Sequence, residues 1–146
     1  MRAVVQRVAR ARVTPGGSIE RGLCVLLGVA RGDGEEEAAR LAGKVARLRI
    51  FADQAGLMNL ALPQVAGRAL VVSQFTLFAA TAKGNRPAFT RAARPEQAEP
   101  LYRRFVARLA ADLGSEVATG EFGADMRVSL VNDGPVTIWI DSRARE

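Results

Sequence analysis

Two short polar segments carry the side chains that could do chemistry in this sequence. Ser73, Gln74 and Thr76 directly follow the apolar run 69–72, so hydroxyl and amide groups stand at the end of a predicted buried strand. Near the other end of the chain, Asn132-Asp133-Gly134-Pro135-Val136-Thr137 lies between two stretches with strand periodicity. We expect these segments to form the two halves of one site.

Each segment also has an ordinary structural interpretation. Hydroxyl groups at a strand end commonly hydrogen-bond to neighbouring backbone groups. A Gly-Pro dipeptide between two strands is commonly a hairpin turn. From the residues alone, both interpretations stay open beside the functional one.

The residue types that are missing restrict the chemistry. The chain has no histidine and a single cysteine, which excludes Ser-His-Asp and Cys-His catalysis, an intrachain disulfide and a zinc site of imidazole and thiolate ligands. Cys24 lies in an apolar run and is expected to be a small core residue. An enzyme of this composition works with hydroxyls, carboxylates, backbone amides or groups of its substrate. We expect no metal and no cofactor.

Length and composition predict one domain, residues 1–146. The 146 residues are 49% apolar and 25% charged, which is typical of a globular chain. The longest apolar run, 23–29, is far shorter than the roughly 20 residues that span a bilayer, so we expect no membrane contact and a cytoplasmic location. A net charge of +6, carried mostly by arginine, favours an acidic partner such as RNA without specifying one.

Periodicity and turn signals predict the elements that position the two segments. The expected strands and shorter extended stretches are residues 2–8, 19–29, 50–52, 57–60, 69–72, 126–131 and 136–141. A capping box of Asp33 and Glu36 predicts a helix to about Arg49, and Pro95 begins a second helix that ends near Leu113. The predicted fold class is α/β, a single domain with a bent or barrel-like mixed β-sheet packed with two main α-helices.

Three motifs together resemble the D-aminoacyl-tRNA deacylase family. They are Ser73-Gln74-Phe75-Thr76-Leu77, Lys83-Gly84-Asn85-Arg86-Pro87 and Asn132-Asp133-Gly134-Pro135-Val136-Thr137, and the length and the start of the chain, 1–8, also fit. The resemblance covers essentially the whole chain. It implies a homodimeric esterase with active sites at the subunit interface, which releases D-amino acids from tRNA and so proofreads chirality in translation.

The resemblance also implies roles for individual residues. The Gly134-Pro135 peptide would be cis, as the Asn-x-Gly-Pro-Val-Thr form indicates, whereas a related branch of the family has it in trans and tolerates L-alanine. It would reach into the other subunit's site, face the substrate amino group and exclude L side chains. Ser73 and Gln74 would line the substrate pocket. Phe122 and Met126 would enclose the terminal adenine. Arg7 would support the Gly-Pro segment, and Lys83 and Arg86 would contact phosphates of the acceptor stem.

Two mechanisms would cleave the ester. Thr76 could act as a nucleophile, but a hydroxyl needs an adjacent base and the chain has no histidine to provide one. We therefore expect the backbone N–H groups of Phe75 and Thr76 to form an oxyanion hole, while the terminal 2′-hydroxyl of the tRNA positions or activates water. Because exclusion of L side chains cannot reject an achiral residue, glycine mischarged on tRNA is an expected second substrate.

Two other function classes fit parts of the sequence. A basic, non-catalytic nucleic-acid-binding dimer of the same fold agrees with the charge. An esterase for small molecules agrees with the polar segments but not with the charge. Binding of uncharged tRNA without release of amino acid would favour the binding protein, whereas cleavage of small esters as fast as aminoacyl-tRNA would favour the small-molecule esterase.

Overall fold

The longest strands of the chain run side by side and organise the sheet in this computed structural model, which describes residues 1–144. The predicted strand at 2–8 extends to Thr14, because the alternation of buried and exposed side chains continues there against β8. The strands are β1 (Arg2–Thr14), β2 (Ser18–Ile19), β3 (Gly22–Gly28), β4 (Phe51–Ala52), β5 (Met58–Leu60), β6 (Arg68–Ser73), β7 (Ala118–Thr119) and β8 (Arg127–Asp141). The helices are α1 (Glu35–Ala46) and α2 (Pro95–Leu113), with 3-10 helices at Leu62–Val65 and Phe75–Phe78.

The main sheet is mixed and curls towards closure. Strand β1 pairs antiparallel with β2 and β3 along one edge and with β8 along the other. Strand β6 then adds parallel to β3, and β7 adds parallel to β6. The N–H of Gly17, after β1, donates to the Thr119 carbonyl in β7 at 2.9 Å, which brings distant strands of the sheet together. This arrangement confirms the predicted α/β fold with a barrel-like mixed sheet and two helices.

Both faces of the central strands are covered. Leu23, Val25 and Leu27 of β3 belong to the core that the helices cover, while Cys24 points into a second cluster on the opposite face. Burial raises the pKa of the Cys24 thiol to about 11, so the thiol stays protonated and unreactive at neutral pH. Cys24 is therefore a core residue, as predicted.

Helix α2 begins at Pro95 and ends at Leu113, as predicted. Helix α1 ends at Ala46 rather than near Arg49, and its start also differs from the prediction. The predicted capping box of Asp33 and Glu36 is wrong, because the helix begins at Glu35 after the N-cap Gly34, and the Glu37 carboxylate accepts the Gly34 N–H at 2.8 Å. The Asp33 carboxylate is engaged elsewhere. It is buried, lies 2.8 Å from the amino group of Met1 and accepts the Ala30 N–H at 2.6 Å.

Replacing Asp33 with alanine is expected to destabilise the fold by about 3–5 kcal/mol, because a buried positive charge loses its partner. Both groups of this pair have no exposed side-chain surface, and Arg143 lies 3.1 Å from the other carboxylate oxygen. Urea unfolding measures the loss. As a control, Glu99→Ala breaks the exposed pair with Arg103 and should cost less than about 1 kcal/mol. Equal losses for the two variants would contradict this interpretation of Asp33.

A single strand, β8, replaces the two strands predicted at 126–131 and 136–141. Both parts pair with β1, and the register shifts near Val8. Gly134 and Pro135 therefore lie in a bulge of a continuous strand, which excludes the hairpin-turn interpretation. Their peptide bond is cis, and Gly134 has a φ of +151°.

No helix within residues 1–144 is long and apolar enough to cross a membrane.

Candidate active site

A cavity of about 630 Å³ opens where β6 ends, between the curved sheet and the start of α2. This volume lies in the usual range for small-ligand sites. Five of the residues predicted for the site line the cavity together, namely Ser73, Gln74, Phe75, Phe122 and Met126. Two segments that are far apart in the sequence, 73–75 and 122–126, thus both contribute to the cavity wall.

Two backbone donors follow the end of β6, that of Phe75 in the cavity wall and that of Thr76 just outside it. The Gln74 N–H donates to the Leu27 carbonyl at 2.8 Å, after which the chain turns into the 3-10 helix Phe75–Phe78. The first N–H groups of a helix have no partner within it. Among residues 1–144, no carbonyl or side chain accepts the N–H groups of Phe75 and Thr76. Both donors are therefore available to a ligand.

The Thr76 hydroxyl lacks the surroundings of a nucleophile. Gln74 Nε2 donates a hydrogen bond to Thr76 Oγ1. The cavity wall includes neither a carboxylate nor a lysine among the described residues, and the sequence has no histidine. Within residues 1–144, neither this wall nor the hydrogen-bond partner of Thr76 Oγ1 supplies a base that could remove the hydroxyl proton.

Arg2, which no sequence pattern singles out, holds the other end of the 3-10 helix. Its Nη1 donates to the Leu77 carbonyl at 2.8 Å, its Nε donates to Asp141 Oδ2 at 2.8 Å, and its guanidinium lies 4.6 Å from the Phe78 ring centre. Burial raises the pKa of Asp141, but hydrogen bonds from the Arg143 backbone and from the Arg2 side chain lower it further, so that this pKa lies below its ordinary value. The helix is therefore tied to β8 by an ionised pair.

Aromatic rings form much of the cavity wall. Tyr102 of α2 donates its hydroxyl to the Val71 carbonyl at 2.8 Å, and burial raises the pKa of this hydroxyl to about 12. Its ring lies 5.6 Å from Phe122, and Phe75 lies 5.1 Å from Phe89 in an edge-to-face arrangement. Such walls suit the stacking of a nucleobase. Phe89 was missed because the loop 79–93 shows no periodicity that would single it out.

Gly134 and Pro135 are exposed and do not line the cavity of their own chain among the described residues. Arg7 holds this bulge in place. Its Nε donates to the Asp133 carbonyl at 2.8 Å, and its Nη1 donates to the Ile50 carbonyl at 2.6 Å. The structure thus brings Arg7 and the Gly-Pro segment together, apart from the cavity.

Lys83 and Arg86 lie outside the cavity wall, at the tip of a folded loop. The loop closes through two hydrogen bonds between Ala80 and Ala88, of 2.8 and 3.0 Å, and reverses near Gly84, whose φ is +75°. Both basic side chains are exposed. Within residues 1–144, no three acidic or thiol side chains are grouped as a metal site would require.

Known proteins resemble this chain over its whole length. The family model described as D-Tyr-tRNA(Tyr) deacylase matches residues 4–141. A D-aminoacyl-tRNA deacylase of Symbiobacterium thermophilum is 60% identical, with 97% of this chain and 96% of the relative covered. Another, of Akkermansia muciniphila, is 56% identical with both chains fully covered.

Solved structures agree with the sequence relatives. A structure named c-Myc DNA Unwinding Element Binding Protein has a TM-score of 0.89 and 41% identity, covering 99% of this chain and 100% of the other. A structure described as a "probable eukaryotic D-amino acid tRNA deacylase" has a TM-score of 0.81 over 95% and 97% of the two chains, and at 16% identity it shows the fold alone. The motifs, the matched model and the curated relatives together establish that this chain belongs to the D-Tyr-tRNA(Tyr) deacylase family.

Proposed function

We propose that this protein hydrolyses the ester bond of D-aminoacyl-tRNA and releases the free D-amino acid and the tRNA. Family membership supports an ester hydrolase that acts on this substrate class. The observation that carries the proposal is that, within residues 1–144, nothing accepts the N–H of Phe75, which lines a cavity with aromatic walls, or the N–H of the adjacent Thr76. The terminal adenine would lie against Phe122 and Met126, and the aminoacyl ester would lie near the end of β6.

The backbone performs most of the chemistry in this proposal. Water attacks the ester carbonyl, whose oxygen becomes an anion that the two N–H groups stabilise. One such donor is worth about 2.7–4 kcal/mol in the transition state. The 2′-hydroxyl of the terminal ribose lies next to the ester and positions or activates the water. The tetrahedral intermediate then expels the ribose 3′-oxygen, which takes up a proton, and the amino acid leaves.

Thr76→Ala is expected to keep activity within about tenfold of the wild type, because the variant loses one side-chain hydrogen bond from Gln74 but keeps its backbone N–H. Single-turnover hydrolysis of D-tyrosyl-tRNA measures this. Complete loss of turnover in a folded Thr76→Ala protein would disprove the backbone mechanism and favour an acyl-threonine intermediate.

We further propose that Gly134 and Pro135 act in the cavity of a partner subunit. They are exposed, lie outside their own cavity and are braced by Arg7. Strand β8 supports a homodimer, because among residues 1–144 its edge away from β1 has no pairing partner. Its exposed apolar residues include Val128, Val131 and Trp139. A long apolar edge of this kind is usually covered. Lys83 and Arg86 would contact the acceptor stem.

Chiral selection follows from this placement by steric exclusion. An L side chain would collide with the Gly134-Pro135 backbone, whereas a D side chain would point away from it. Glycine has no side chain to exclude, so glycyl-tRNA would also be hydrolysed.

The test compares D-tyrosyl-, L-tyrosyl- and glycyl-tRNA as substrates, with and without a chelator. We expect loss of the D- and glycyl-esters only, unaffected by the chelator. Rapid hydrolysis of the L-ester would contradict steric exclusion.

A second candidate is a non-catalytic nucleic-acid-binding dimer. The net charge of +6 favours it, as does the likeness to a structure named for binding a DNA unwinding element. Tight binding of uncharged tRNA with no release of amino acid from any ester would support this function and exclude the deacylase.

A further inference from the structure

Two arginines in the cavity wall and one beside it have no acidic partner within residues 1–144. Arg31 and Arg94 line the cavity, and the backbone carbonyl of Arg91 accepts the Arg31 N–H at 3.2 Å. All three side chains are exposed. Within residues 1–144 none of their guanidinium groups forms an ion pair or a hydrogen bond with another residue, although seven other ion pairs form there. We call Arg31, Arg91 and Arg94 the arginine cluster.

The backbone places two members of the cluster side by side. Segments 29–31 and 91–93 run antiparallel, since Ala93 donates to the Val29 carbonyl at 2.9 Å and Ala30 pairs with Ala92. Residues directly opposite in such a ladder project from the same face. Arg31 and Arg91 therefore share a face with Val29 and Ala93; Arg31, Val29 and Ala93 line the cavity, and Arg91 lies next to Arg31 outside its wall. Like charges in opposite positions destabilise the pairing unless an anion lies between them.

The field of the cavity has a single sign. Arg31 and Arg94 carry the only charges among the described residues that line it. Arg94 is also the N-cap of α2, whose N-terminal end adds positive partial charge; the first turn of this helix carries one acid, Glu96, which lies outside the cavity wall. An anion at this mouth would meet guanidinium groups that no internal carboxylate competes for. Guanidinium is the side-chain group that best matches the oxygens of phosphate.

We propose that the arginine cluster binds the phosphates of the single-stranded 3′ end of the RNA, next to the nucleoside in the cavity. This inference rests on the proposed function, and it adds a phosphate subsite distinct from Lys83 and Arg86. The subsite fixes the path of the unpaired nucleotides, so that the terminal ester arrives at the end of β6. Recognition is of charge and backbone rather than of base sequence.

Binding of a short RNA tests the subsite without catalysis. The probe is a 5′-labelled RNA tetranucleotide whose last three nucleotides are cytidine, cytidine and adenosine. Protein is titrated into the probe at several salt concentrations, and binding is measured by fluorescence anisotropy. The double variant Arg31→Gln, Arg94→Gln is expected to bind about tenfold more weakly at low salt. Its plot of log affinity against log salt should be flatter by about 1.4, since each phosphate on a single strand contributes about 0.7.

A matched control removes the same charge elsewhere. The double variant Arg103→Gln, Arg104→Gln alters two exposed residues of α2 that lie outside the cavity wall. It should bind the RNA as the wild type does. Equal weakening by both double variants, or weakening by neither, would overturn the subsite.

Catalysis separates this inference from the proposed function. The substrates are D-tyrosyl-tRNA and the D-tyrosyl ester of adenosine, which has no phosphate. For Arg31→Gln, Arg94→Gln, the ratio of kcat/KM on the tRNA to kcat/KM on the nucleoside ester should fall about tenfold, mainly through KM. An unchanged ratio would disprove the subsite. If the wild type cleaves neither ester but binds RNA through Arg31 and Arg94, the deacylase proposal fails and the subsite stands.

Discussion

Phe75→Pro is expected to hydrolyse D-tyrosyl-tRNA at least about a hundredfold more slowly than Phe75→Ala, because proline deletes one of the two backbone donors of the proposed oxyanion hole. The position should accept proline. Phe75 begins a 3-10 helix, the first position of a helix tolerates proline, and no group within residues 1–144 accepts its N–H. The preceding Gln74 has a φ of −147° and a ψ of 80°, outside the helical region that proline disfavours.

Phe75→Ala supplies the matched control, because it keeps the N–H and removes the ring that contacts Phe89. The measurement is the single-turnover rate at saturating enzyme, together with circular dichroism and a thermal melt for each variant. Since the aromatic ring is lost in both variants, the difference between their rates measures the contribution of the residue-75 N–H. Equal rates for two folded variants would show that the Phe75 N–H does not stabilise the transition state.

Elements with local signals were predictable from the sequence. Helix α2 has Pro95 at its start and Gly114 at its end. Each residue favours a helix end through the backbone conformation of only a few neighbouring residues. Strand β6 is a short apolar run that is buried on both faces, so its pattern does not depend on one neighbour. Asp33 shows the opposite case, because its carboxylate pairs with the amino group of Met1. No local rule could indicate that this carboxylate was unavailable as a cap.

The continuity of β8 depended on distant pairing. The sequence around Gly134 contains the signals of a turn, but both flanking segments pair with β1, more than a hundred residues earlier. Competition between a hairpin and a bulge is decided by that long strand rather than by the dipeptide. A sequence pattern within a short window contains no information about this pairing with a distant strand.

The residues of the cavity wall were predictable where they belong to one sequence motif and not where distant parts of the chain pack together. Ser73, Gln74 and Phe75 come from one motif and lie together at the cavity. Tyr102 was indistinguishable from a core residue, because it is buried in the core and only the folded chain shows that it also lines the cavity. Arg2 carries no signal of its own, since its partners Leu77 and Asp141 lie far along the chain.

Gly134→Ala is expected to lower kcat/KM on D-tyrosyl-tRNA by about a hundredfold and to narrow the preference for the D-ester, because a displacement of about 1 Å at a positioning group has effects of this size. A Cβ at Gly134 would lie 2.7 Å from Val136 Cγ2 and 3.2 Å from Arg7 Nη2, and its φ of +151° is unfavourable for L residues. The bulge would have to shift. Gly56→Ala is the control, since Gly56 has a φ of +81° but no atom within 4 Å of the added carbon.

If the protein forms the proposed homodimer, mixed dimers would show whether Gly134 acts in its own subunit or in its partner. A Gly134→Ala subunit keeps a complete cavity, and a Phe75→Pro subunit keeps a complete Gly-Pro segment. If the segment crosses the interface, a mixed dimer contains one site in which both parts are intact. Random exchange makes about half of the dimers mixed, with one intact site of two, so about a quarter of wild-type activity should return. Exchange confirmed by native mass spectrometry without recovery would place the segment and the cavity of one site in the same chain.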